Sequence, residues 1–136
     1  MDEQIQAIFL FKAEESLAGA WSEFANHRYN NCANRCYYAS FQAAVFALLK
    51  NGIRPAGRNH QWGHDLVQAE FVGQLVNRRK LYPADHRQTL LRNLELRQIA
   101  DYRDRNVTET QARRALHRTR DLIEAIEVED EGGEKV

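Results

Sequence analysis

Residues 30–50 read NNCANRCYYASFQAAVFALLK. Ala33, Tyr37, Phe41, Ala44 and Leu48 recur at three- and four-residue steps, so a single apolar stripe runs along one helix. Asn30 or Asn31 offers an N-cap, and Asn51-Gly52 supplies a C-terminal stop. A helix with one long apolar stripe must bury it against other elements, and what flanks it decides the fold class.

The flanking sequence is helical on both sides. From Gln4 to Asn26, Leu10, Ala13, Leu17, Ala20 and Phe24 keep the helical period. RPAGRN at 54–59 reads as loop, and a third helix follows over Gln61 to Asn77 with Leu66, Ala69, Val72 and Val76 in register. RRKLYP at 78–83 breaks the pattern, and Asp85 after Pro83 opens a fourth helix carrying Leu90, Leu91, Leu94 and Leu96. In VTETQ at 107–111, Thr108 caps a fifth helix and Gln111 reaches back to its backbone N–H. That helix shows Ala112, Ala115, Leu116, Leu122, Ile123 and Ile126. With no alternating β pattern and no internal repeat, the expectation is an all-α, antiparallel up-and-down four-helix bundle with one additional short helix. The bundle occupies residues 1–128, and the acidic tail EDEGGEKV at 129–136 has too little apolar surface to order itself.

Composition narrows the function. A chain of 136 residues suits one domain with one core. Lys plus Arg equals Asp plus Glu at 19 each, which gives no bulk electrostatic attraction to nucleic acid, although basic residues gather at 78–80 and 113–120. No window approaches the length of a membrane span, and the acidic start MDEQ lacks the basic region of a signal peptide, so a cytoplasmic protein is expected. Cys32 and Cys36 stand four apart in one helix, a spacing that reads as buried thiols.

Several polar residues sit where a plain bundle needs none. Leu90, Leu94, Arg97 and Asp101 lie at i, i+4, i+7 and i+11, so two charged residues continue a leucine stripe. Buried without partners they would cost several kcal/mol, so they must pair or line a wet cleft. On the second helix Asn34, Tyr38 and Phe41 share a face flanked by Arg35 and Tyr37. These two sets could close one polar pocket between helices; the competing reading is a structural ion pair and amphipathic packing.

NRCYYASFQAA at 34–44 resembles the N-R-x-Y-Y-A-x-F-x-A-A signature of the HEPN domain family, and LRQIADYRD resembles its later R-x-x-A-D-Y element. His60 resembles the His this family carries ahead of its third helix. The resemblance runs from about Ala13 to Ile126. It implies a dimerising helical bundle with the polar residues in a cleft near the two-fold axis. It also implies RNA chemistry: many HEPN proteins are metal-independent ribonucleases, often toxins paired with a minimal nucleotidyltransferase antitoxin, and use an Arg followed four to six residues later by His. With four to six residues intervening after Arg97, the positions where that His is expected hold Tyr102, Arg103 and Asp104, so the imidazole of that route is missing from its place. Arg97, Asp101 and Tyr102 are the candidate catalytic set, and Asn34, Arg35, Tyr38, His60 and Arg97 the candidate RNA or nucleotide contacts. No cofactor is expected. In some family members a Tyr near this motif accepts nucleotide groups, which makes Tyr102 a candidate acceptor.

Two other functions compete. One is a non-catalytic HEPN dimer serving as a protein-interaction module. The other is a divalent-ion site on His60 and His64 with Asp65 and Asp101, although two His near a loop more often face solvent, and no metal is expected.

Overall fold

The computed structural model describes residues 3–54 and 62–134. Helix α1 spans Glu3–Ala25, α2 Tyr29–Lys50 and α3 His64–Glu70, which continues as a π-helical stretch over Phe71–Arg78. A 3₁₀ segment at Ala84–Gln88 leads into α4, Thr89–Tyr102, and α5 runs over Glu109–Glu134. The described residues form the all-α bundle expected from the helical periods, and none of their helices is long and apolar enough to cross a membrane.

Helix α2 is central, packing against α1, α4 and α5. Alanine makes this possible. Ala13 and Ala20 of α1, Ala33, Ala39, Ala43, Ala44 and Ala47 of α2, and Ala112 and Ala115 of α5 are all buried, and their small side chains let backbones approach. Cys32 and Cys36 are fully buried free thiols within the same contact. Helix α2 stops as expected: Gly52 takes φ 79°, a left-handed conformation, while the Gly52 and Ile53 N–H groups cap the carbonyls of Leu49 and Leu48.

Its start differs from expectation. The helix begins at Tyr29, and neither Asn caps it. Asn30 instead crosses to the α4–α5 loop, where its Oδ1 accepts from the Val107 N–H at 2.9 Å and its Nδ2 donates to Asn106 at 3.0 Å. A side chain expected to serve local structure is thus spent on tertiary structure. At the far side of that loop the capping box forms: Thr108 Oγ1 accepts from the Gln111 N–H at 3.1 Å, and Gln111 Oε1 from the Thr108 N–H at 3.0 Å. Such a cap contributes about 1 kcal/mol.

The third helix is less regular than its period suggests. Bonding of the i→i+5 type, seen where the Arg79 N–H reaches the Gln74 carbonyl at 3.0 Å, rotates the chain so that Phe71, Leu75 and Val76 all point inward. Phe71 stacks on Tyr82 with ring centroids 5.4 Å apart.

Helix α5 also differs from expectation, continuing past Val128 to Glu134. Apolar burial does not hold this end; Lys50 does. Its ammonium donates to the Asp130 carbonyl at 2.9 Å and pairs with the Asp130 carboxylate, tying the last residue of α2 to the tail.

One turn earlier, Glu127 of α5 faces Glu14 of α1. Its hydrogen bond with the Glu14 carboxyl, followed by burial and the repulsion of Glu14, Glu124 and Glu131, pushes the Glu127 carboxyl up to about 7 from its ordinary 4.5. Between those values the folded chain holds a proton that the unfolded chain has released, so this group's contribution to stability falls as pH rises through that window. Glu127→Gln mimics the protonated form. Thermal melts should therefore show the variant more stable than wild type at pH 8 and about equal at pH 5; the same difference at both pH values would discount the pair.

Candidate functional site

Thr89, Leu90, Asn93 and Leu96 form the buried face of α4. The stripe of Leu90, Leu94, Arg97 and Asp101 therefore follows one edge of that face rather than its centre. This edge meets α2 on one side and opens on the start of α3 on the other, which explains how two charged residues lie in register with leucines without being sealed in the core.

Arg97 is the pivot. Its Nε donates to Asp101 Oδ2 at 3.2 Å, and its guanidinium carbon lies 5.3 Å from the Tyr37 ring centroid and 5.2 Å from that of Tyr38. The two rings stand nearly edge-to-face, 67° apart, so the guanidinium sits in an aromatic corner. Asn34 Nδ2 donates to the same Asp101 oxygen at 2.9 Å. A carboxylate in the last turn of a helix opposes the helix dipole. Asp101 is held there by two donors on one oxygen, and it in turn fixes the plane of Arg97. The Arg97 side chain retains 17% exposure, and neither Nη has a hydrogen-bond partner among the described residues.

A cavity of about 640 Å³ opens beside Arg97, walled by Gly63, His64, Asp65 and Leu66 at the start of α3 and by Leu94, Gln98 and Tyr102 of α4. Gly63 and His64 come into place because α3 begins there, with Gly63 as the extended N-cap residue. The His64 ring lies 5.2 Å from Tyr37 and 5.7 Å from Phe41, adding an imidazole to the aromatic cluster around Arg97. Tyr37 is buried, and its hydroxyl has no hydrogen-bond partner among the described residues. Tyr102 is 73% exposed on the cavity wall.

Of the residues singled out from sequence, Asn34, Tyr38, Arg97 and Asp101 come together, with Tyr102 on the cavity wall. Arg35 does not join them. It is exposed, and its aliphatic stem lies 3.8 Å from where a side chain on Gly19 of α1 would begin, away from the cavity. His60 lies outside the described residues. Of the residues proposed as a divalent-ion set, His64 packs its ring on aromatics, and no group of three His, Cys, Asp or Glu side chains suited to a metal occurs among the described residues.

His64 was legible only as a metal ligand, yet it is a wall of the Arg97 cavity. Its signal was the pairing of Tyr37 with Phe41 at i, i+4, an aromatic face on α2 that required a flat partner from elsewhere in the chain.

The family model described as HEPN domain matches residues 7–129. The chain is also 28% identical over 127 residues, 91% of its own length and 87% of the relative's, to the Methanocaldococcus jannaschii protein named "Putative toxin MJ0605".

Proposed function

The chain belongs to the HEPN domain family, and from that premise we propose that it is a toxin-like protein that binds RNA or nucleotide phosphate at Arg97. One observation carries this reading: a guanidinium whose plane is fixed by Asp101 and two tyrosine rings, with both terminal nitrogens without partners among the described residues at the edge of a cavity. Preorganised forks of this kind suit the paired oxygens of a phosphate, and little rotamer entropy is lost on binding. Binding of mixed RNA and of ribose 5-phosphate to wild type and Arg97→Ala, with a metal chelator present, tests it.

Binding is favoured over cleavage, because α4 supplies no imidazole where the family's ribonucleases place one. A cleaving function rests on His64, whose imidazole lines the same cavity and is the kind of group that exchanges a proton with a 2′-hydroxyl. The same incubation reads this out as chelator-insensitive cleavage. A nucleotidyltransferase partner fits the toxin-like reading, and the exposure of Tyr102 meets the access that modification of its hydroxyl requires.

The working unit is proposed to be a two-fold dimer. Leu91 is 46% exposed on α4, so that helix leaves apolar surface uncovered. Sedimentation at micromolar concentration should give twice the 15.8 kDa chain mass. A clean monomer throughout that range would remove the dimer and any site shared between copies.

A further inference from the structure

We propose that the cavity beside Arg97 is a subsite for one unpaired nucleotide, with Tyr102 as the platform on which its base stacks. The inference rests on the phosphate-binding reading of Arg97 and adds what occupies the rest of the space.

Tyr102 is the last residue of α4, and the chain turns away after it because Arg103 is extended. Its ring belongs to neither hydrophobic cluster and makes no ring contact with another aromatic side chain among the described residues. An aromatic side chain 73% exposed leaves its ring face open to a base. That face stands on the wall of the same cavity as the Arg97 nitrogens that have no partner among the described residues.

The remaining walls divide by chemistry. Leu66 and Leu94, both partly buried, supply apolar surface, while Gln98 supplies a donor and an acceptor and Asp65 an acceptor. A cavity with a fixed cation at one side, an exposed ring and leucines along another, and an amide at its rim matches a ligand that joins an anion to a flat ring with polar edges. A bare phosphate would use Arg97 alone and leave the apolar walls idle. A paired base would have its faces covered by its neighbours, so the platform selects nucleotides outside a duplex. The volume of about 640 Å³ lies in the range of small-ligand sites.

The test compares AMP with ribose 5-phosphate, which differ in the base, by calorimetry on the full chain. Stacking on an aromatic side chain supports a preference for AMP of roughly 10-fold or more. Tyr102→Ala should bring AMP down to the affinity of ribose 5-phosphate without changing the latter, while Tyr102→Phe should keep the preference. Equal binding of the two ligands by wild type, or an equal loss of both in Tyr102→Ala, would overturn the stacking role and leave phosphate binding at Arg97 standing. Binding of neither by wild type would overturn the phosphate reading and this subsite with it.

Discussion

Replacing Asn93 by Ala should lower the stability of the fold by about 3 kcal/mol, enough to reduce Tm by roughly 10 °C in a domain of this size. Asn93 is fully buried in the middle of α4. Its Oδ1 accepts from Arg118 Nε at 2.7 Å, and its Nδ2 faces Thr119 Oγ1 at 2.8 Å, Ser40 Oγ at 3.1 Å and the Cys36 carbonyl at 3.3 Å. One amide thus joins α2, α4 and α5. Removing it takes the amide away from the buried Thr119 hydroxyl and the part-buried Arg118 guanidinium, while Ser40 still donates to the Tyr37 carbonyl, and a buried polar group left unmade costs about 1–3 kcal/mol.

The position of this network is informative. Along α2 Ser40 falls between Cys36 of one hydrophobic cluster and Ala43 of the other; Asn93 falls between Leu96 and Leu90, and Thr119 between Leu116 and Leu122. The three helices therefore cross at one polar layer set between two apolar ones. A slip of any helix would strand these groups, so the layer fixes register as well as contributing energy. Urea melts of Asn93→Ala and of the triple change Asn93→Leu, Ser40→Ala, Thr119→Val distinguish the possibilities. The triple variant should recover part of the loss, because it removes the hydroxyls together with their partner. If Asn93→Ala melts with the wild type, the network is ornamental.

Asn93 also shows where sequence reading runs out. Helix count, order and most of the core were legible: Ala112, Ala115, Leu116, Leu122, Ile123 and Ile126 were expected inside and are buried. On α4 the leucine count misled, because Leu91 is exposed whereas Thr89 and Asn93 are buried. Periodicity weighs residue types, and a buried Asn resembles a surface residue until its partners, 25 to 57 positions away, are known. The candidate site was legible in part for the opposite reason. Arg97 and Asp101 broke an apolar pattern visibly, and their partner Asn34 broke another. Arg35 broke it too, yet turns to α1; one helix face cannot be assigned to a neighbour from its own sequence. His64 needed the α2–α3 contact: the Tyr37–Phe41 pair shows an aromatic face on α2 but not which residue of the chain packs on it.

Arg97→Ala should raise the dissociation constant for RNA or ribose 5-phosphate by about 100-fold while leaving the fold close to wild type. The first half follows from charge-assisted hydrogen bonds: a bidentate guanidinium–phosphate contact of about 3 kcal/mol converts to slightly more than two factors of ten. The second half follows from position. Arg97 lies at the edge of the buried face of α4, and its loss leaves Asp101 bonded to Asn34 and partly exposed to water rather than stranded in the core. Arg97→Lys separates charge from geometry. A lysine keeps one positive charge but not the planar fork or the fit against Tyr37 and Tyr38, so its affinity should fall between the other two proteins. Salt adds an independent reading, since removing one phosphate contact should reduce the slope of log affinity against log salt for RNA by about 1. Asp101→Asn completes the set: the charge of Arg97 is untouched, but the acceptor that fixes its plane is weakened, so a loss of several-fold is expected with the salt slope unchanged. If Arg97→Ala binds as wild type does and keeps the same slope, the phosphate site lies elsewhere, and the clamp of Asn34, Asp101 and Arg97 is only a structural ion pair closing one end of the bundle.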